Sequence, residues 1–184
     1  DGGFDQILSR TEPDILTRQL VHRIQKIRTS QDLISRDRAT GLLNKVGLQK
    51  RAQEWIQKAQ QQGKPLAYGV IDIDKFKTIN DTWGHYFGDI VIKRLSLVLS
   101  AYIDENDLLS RFGGEEFVVL MPETSIVQAL DIIRRLQREL TKAFFMANND
   151  RLVLTFSAGV AACGTEETEI EIIDRADRAM YAAK

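Results

Sequence analysis

The sequence predicts an α+β fold, a ferredoxin-like βαββαβ core preceded by an N-terminal helix. Three observations carry this prediction. Leu66-Ala67-Tyr68-Gly69-Val70-Ile71 is a short apolar run ending in Asp72-Ile73-Asp74, the pattern of a buried strand. Two further strand-like runs, 108–112 and 117–121, flank Gly113-Gly114-Glu115-Glu116 and read as a hairpin. Helical stretches separate the first strand from the hairpin and the hairpin from a last strand. That order fits a sheet with helices packed on one face.

Residues 1–12 show no periodicity. From Pro13 to about Ser35 the pattern is helical, with Leu20, Ile24, Ile27 and Ile34 on a heptad seam and Gln31 as its polar position. This connector, residues 1–35, is either a short coiled coil or a helix packed on its own domain. Asn44 caps a helix running to about Gln62, and Gly63-Lys64-Pro65 ends it. The strand 66–74 is followed by a turn-rich loop and a helix over about 88–102. After the hairpin, Pro122 stops the second strand. A long amphipathic helix is expected over 125–145, then a turn at Asn148-Asn149-Asp150, one strand over 151–162 and a final helix over 169–184. The second domain is therefore residues 36–184.

Composition narrows the function. The 184 residues are 43% hydrophobic and 28% charged, as in an ordinary globular chain. With 25 basic against 26 acidic residues the formal net charge is -1, which argues against a nucleic-acid binder. The single Cys163 excludes an intramolecular disulfide and fits a reducing compartment. No stretch reaches the roughly 18 apolar residues of a membrane span, and no secretory leader is evident. Asp1-Gly2-Gly3-Phe4 reads as a cut end, so the chain is expected to be a fragment of something longer.

Several segments carry chemistry. Two glycines at the hairpin tip allow a sharp turn and close approach of a bulky ligand. Glu115 and Glu116 beside them offer hard oxygen ligands to a divalent cation. Asp72 and Asp74 alternate onto one face of the strand end, where they either share such a cation or simply end the strand. Lys77 offers a point charge for phosphate. Asn80 and Asp89 suit adjacent N–H donors such as those of guanine. Taken singly, each is as well explained as a turn or cap residue. His85 has no evident nucleophile or second histidine near it.

In combination, Asp72-Ile73-Asp74-Xaa-Phe76-Lys77-Xaa-Ile79-Asn80-Asp81, Gly84-His85-Xaa-Xaa-Gly88-Asp89 and Arg111-Phe112-Gly113-Gly114-Glu115-Glu116-Phe117 resemble the GGDEF family of diguanylate cyclases, in a GGEEF variant. Asp37-Xaa-Xaa-Thr40-Gly41-Leu42-Xaa-Asn44 resembles its entry motif. Arg175-Ala176-Asp177-Xaa-Ala179-Met180-Tyr181-Xaa-Ala183-Lys184 resembles its last helix. The likeness runs from about residue 36 to the end.

The resemblance implies a nucleotidyl cyclase or polymerase-palm-like core that condenses two GTP into cyclic di-GMP and two pyrophosphates. It implies a homodimer, because each domain binds one GTP. It makes Asp72, the carbonyl of Ile73 and Glu115 metal ligands for Mg²⁺ or Mn²⁺, two ions per GTP. Glu116 would act at the metal or in deprotonating the ribose 3′-hydroxyl. Asn80 and Asp89 would read guanine. Lys77, the backbone at Phe76 and Lys184 would hold phosphates, and Gly113 and Gly114 would let the nucleotide lie against the hairpin. A cytoplasmic location is implied, with an upstream sensor domain in a parent that could be membrane-anchored. One departure stands out. Many members carry an Arg-Xaa-Xaa-Asp product-binding motif before the Gly-Gly turn, and here that stretch is Asp104-Glu105-Asn106-Asp107. An acid in place of the arginine repels phosphate, so product inhibition through that site is expected to be weak or absent. The competing readings are a non-catalytic nucleotide-binding module and a different palm-like cyclase.

Overall fold

In a computed structural model the described residues are 17, 34–142, 145–147 and 150–183. The chain divides into two compact units, residues 1–35 and 36–184. The connector seam of Leu20, Ile24 and Ile27, the Asn148-Asn149 turn and Lys184 lie outside the described residues.

The second unit is built on a five-stranded sheet. Its strands are β1 (Leu43–Asn44), β2 (Leu66–Ile73), β3 (Leu108–Arg111), β4 (Glu116–Pro122) and β7 (Phe156–Ala162), in the spatial order β1-β3-β4-β2-β7. β2 is central and runs antiparallel to both β4 and β7, and β3 and β4 form the predicted hairpin. β1 joins the edge in parallel with β3, placing Asn44 beside Arg111. A separate two-stranded ribbon pairs β5 (Phe145–Ala147) with β6 (Asp150–Leu152).

Five helices are described: α1 (Lys45–Gln62), α2 (Phe76–Trp83), α3 (His85–Tyr102), α4 (Ile126–Lys142) and α5 (Glu169–Ala183). α1 begins as expected. The Asn44 side chain accepts from the Gly47 N–H at 2.9 Å, and left-handed Gly63 closes the far end.

Helices cover both faces of the sheet, not one. Ala67, Ile71 and Ile73 of β2 pack with Val91, Leu95, Ile133 and Leu136 of α3 and α4. Leu66, Tyr68 and Val70 pack on the opposite face with Leu48, Ile56, Ile172 and Met180 of α1 and α5. The physical reason lies in β2 itself. Its run of apolar residues without alternation marks a strand buried on both sides, and the helices outside the βαββαβ core supply the second cover. On that side Gly159 is needed for space: a Cβ there would stand 2.0 Å from the Ala176 carbonyl oxygen of α5.

Three local expectations also give way. The loop after β2 contains helix α2, because Phe76 and Ile79 bury one side of it. The long helix stops at Lys142, short of Phe145, which belongs to β5. The stretch 151–162 holds two strands in different sheets, with β6 ending at Leu152 and β7 starting at Phe156.

Candidate active site

The sheet brings the two acidic segments together. In the β2–β4 register Asp72 lies opposite Glu116, and the Ile73 N–H donates to the Glu115 carbonyl at 3.4 Å. Asp72, Glu115 and Glu116 are half-buried and Ile73 is buried. A strand end buried on both faces and a hairpin tip thus form one acidic edge. Among the described residues no three acid, histidine or cysteine side chains converge as a closed metal cluster. A cation here would need ligands from the backbone and from a substrate as well as from these carboxylates.

The hairpin tip is closed by backbone and by an arginine. The Phe112 N–H donates to the Glu116 carbonyl at 2.8 Å. Arg111 donates through Nε and a terminal nitrogen to the Gly114 carbonyl, at 3.1 and 2.8 Å. Its other terminal nitrogen meets both Asp37 oxygens at 3.3 Å. Asp37 also accepts from the Thr40 N–H and hydroxyl, at 2.9 and 2.7 Å. Burial raises the Asp37 carboxyl, but the Thr40 bonds and the Arg111 charge outweigh it and hold the group below the usual carboxylate range. The Asp37-to-Thr40 contact is local, three residues apart, whereas the partner of Asp37 74 residues away is not readable in the sequence.

The glycines of the tip differ. A Cβ at Gly113 would stand 2.5 Å from Glu116 Oε2, so this glycine leaves room for that carboxylate, while Gly114 faces open space. A shallow cleft of about 470 Å³ lies against the tip, lined by Asn44, Lys45, Phe112 and the two glycines among others. Lys45 Nζ sits 4.6 Å from the centre of the Phe112 ring.

Asp74 has a different role from Asp72. Its carboxylate accepts from the Thr155 hydroxyl at 2.7 Å and the Ser157 hydroxyl at 2.6 Å, and its N–H donates to the Thr155 carbonyl at 3.0 Å. Asp74 therefore ties the turn after β2 to β7. Lys75 follows in the left-handed region, with φ 56 and ψ 29, and no side chain caps the start of α2. The N-terminal end of α2, at Phe76 and exposed Lys77, is thereby turned out beside the acidic edge, a place that favours anions.

Asn80 and Asp89 sit on consecutive helices. Asn80 is half-buried at the C-terminal half of α2, and its Oδ1 is buried and accepts no hydrogen bond within the described residues. Asp89 is exposed on the first turns of α3. Trp83 and Phe87 pack at 5.7 Å between ring centres at the junction. His85 is exposed. Cys163 is half-buried, and burial pushes its thiol up, as for a packing residue.

At the opposite end of the sheet lies the 104–107 turn. Asp104 accepts from the Asn106 N–H at 2.9 Å and the Asn106 side chain at 2.8 Å, and Asp107 accepts from the Asp104 N–H at 3.3 Å. Burial pushes the Asp107 carboxyl up to about 6. The bond from the Asp104 N–H opposes that rise, and the Asp104 charge adds to it.

Known proteins resemble this chain along most of its length. A family model described as diguanylate cyclase, GGDEF domain, matches residues 34–184. The diguanylate cyclase DgcP of Pseudomonas aeruginosa is 38% identical over 148 residues, covering 80% of this chain and 22% of that protein. The response regulator PleD of Caulobacter vibrioides is 36% identical over 196 residues, covering 99% of this chain and 43% of that protein. The chain thus spans less than half the length of either relative. Among solved structures, the GGDEF domain of DgcB from Caulobacter crescentus, determined in complex with c-di-GMP, superposes with a TM-score of 0.77 at 29% identity, over 81% of this chain and 86% of that one.

Proposed function

The chain belongs to the GGDEF-domain family of diguanylate cyclases, and from that premise we propose that it condenses two GTP into cyclic di-GMP, releasing two pyrophosphates, as a dimer in which each copy holds one GTP. The observation that carries the reading is the junction of β2 and β4. It sets Asp72 opposite Glu116 and the Ile73 backbone against that of Glu115.

The donor set suits a hard divalent cation. Carboxylates of Asp72 and Glu115 and the carbonyl of Ile73 would hold Mg²⁺ or Mn²⁺, two ions per GTP, together with substrate phosphates. Bound there, the ions would neutralise the phosphates and stabilise charge on the attacking and leaving oxygens. The chain's own groups do the rest by positioning. The start of α2 and Lys77 take phosphate oxygens, and Lys184 reaches the terminal ones. Asn80, whose buried oxygen lacks a donor in the described chain, and Asp89 take the N–H edge of guanine. Gly113 and Gly114 leave the nucleotide room on the hairpin.

In each of two equivalent steps a 3′-oxygen loses its proton and attacks the α-phosphorus of the other GTP. A new P–O bond forms and the bond to the pyrophosphate oxygen breaks. Glu116, folded back over Gly113, serves either as proton acceptor or at the metal. The parent protein carries a sensor upstream of the connector, residues 1–35, and the domain works on the cytoplasmic side. No described helix is long and apolar enough to cross a membrane. Feedback through the 104–107 turn is weak or absent, because Asp104, where many family members carry an arginine, repels the phosphates of a cyclic dinucleotide.

Incubating the purified chain with GTP and Mg²⁺ and separating the products chromatographically tests this reading. Cyclic di-GMP is expected from the wild type and not from Asp72→Ala or Glu115→Ala. GTP binding without turnover, or a cyclic mononucleotide, would contradict it.

A further inference from the structure

Gly88 lies inside α3 with an ordinary helical backbone, since the glycines with positive φ are Gly41, Gly63 and Gly84. Conformation therefore gives no reason for glycine here, and in a helix interior glycine is less stable than alanine. The reason lies in space. A Cβ at Gly88 would stand 2.0 Å from Asn80 Oδ1, 3.0 Å from Asn80 Cγ and 3.2 Å from the Phe76 ring. Both neighbours belong to α2, which carries Asn80, assigned above to guanine, and Phe76 and Lys77, assigned above to phosphate. The Asn80 oxygen that occupies this space is itself buried without a donor, so packing against Gly88 fixes where the amide sits while leaving its oxygen unsatisfied. A buried polar atom left in that state calls for an explanation, and a ligand donor supplies one.

We propose that Gly88 is a positioning residue for nucleobase recognition: its missing side chain is the seat of the Asn80 amide. Any β-carbon at position 88 displaces the amide from the place where it meets a purine N–H edge. The inference rests on the reading of Asn80 as a guanine contact. It adds that the selectivity of the site is set by a residue that does not touch the base.

A double-mutant cycle on the full chain tests it, using wild type, G88A, N80A and N80A/G88A. The readouts are KM and kcat for GTP, equilibrium affinity for a fluorescent GTP analogue and for ITP (which lacks the 2-amino donor), and urea midpoints. In the wild-type background G88A is expected to raise KM and Kd for GTP about tenfold, the loss of one hydrogen bond to a ligand, and to narrow the GTP-over-ITP preference, with kcat changed less than about threefold. In the N80A background the same substitution is expected to change GTP affinity less than about twofold, because the seat is empty. Wild-type affinity in G88A, or an equal penalty with and without Asn80, would overturn the proposal. If G88A is poorly folded, its urea midpoint must recover in N80A/G88A, and persistence of the defect overturns it equally. A wild type that binds GTP without making cyclic di-GMP would defeat the functional reading while the affinity cycle still decides the role of Gly88.

Discussion

The two ends of the central sheet both finish in acidic turns, and they are built in opposite ways. At the 104–107 end the acids close the turn themselves: Asp104 takes two bonds from Asn106, and Asp107 takes the Asp104 N–H. Nearby, Glu123 is engaged by Lys64 at 2.6 Å. At the hairpin end the turn is closed by backbone bonds and by Arg111, which holds the Gly114 carbonyl and is backed by Asp37. The bonds that close it run through the backbone and Arg111, with Glu115 and Glu116 contributing their main-chain carbonyls. An acid that shapes its own turn is held by that turn, whereas Glu115 sits on a turn shaped by Arg111 and the backbone.

The sharpest way to break this contrast is to remove the acids from each end. Glu115→Ala or Asp72→Ala should lower cyclic di-GMP formation by at least on the order of a hundredfold, as expected when a preorganised charge partner is lost. Circular dichroism and the urea midpoint of Glu115→Ala should stay close to wild type. Loss of fold in Glu115→Ala would mean that the hairpin acids close the turn after all.

The next largest effect should come from the brace. Arg111→Ala removes bonds to Gly114 and leaves half-buried Asp37 without its charged partner, and should destabilise the domain by about 1–3 kcal/mol. Asp37→Ala should add much less in the Arg111→Ala background than alone, which a double-mutant cycle of denaturant midpoints measures.

A smaller, pH-dependent effect is expected at the far end. The folded pKa of Asp107, about 6, lies above its unfolded value. Between those two values the folded chain binds more protons than the unfolded one, so this group lowers stability as pH rises through the window and holds it there above. Asp107→Asn should therefore match the wild type at low pH and gain in melting temperature as pH rises to 7. A gap that is constant across pH would contradict the assignment. The smallest expected effect is none: Asp104→Ala/Asp107→Ala should leave the response to added cyclic di-GMP unchanged. Loss of strong inhibition in that double variant would show that the turn binds product.

The contrast also marks what a sequence reveals. The core was legible because β2 is a short apolar run ending in acids and the hairpin has glycines between two strand-like runs. The covering of both faces was equally present in β2, whose residues are apolar without alternation, but the βαββαβ order alone suggests one layer of helices. In the sequence helix α2 reads as a loop because Thr78, Asn80 and Asp81 look like turn chemistry, although Phe76, Ile79 and Trp83 have helical spacing. Asp72 and Asp74 look equivalent in sequence. Only the sheet shows that Thr155 and Ser157 occupy the second. Gly88 reads as a turn residue beside Gly84, and the contact that gives it a role crosses between two helices.

The most direct test of the central claim, that the hairpin is half of an active site, is cyclic di-GMP formation per chain as protein concentration is raised under saturating GTP and Mg²⁺. The rate per chain should climb with concentration and then level off as copies pair. A rate per chain that is constant down to the most dilute samples, with the protein monomeric by light scattering, would contradict it.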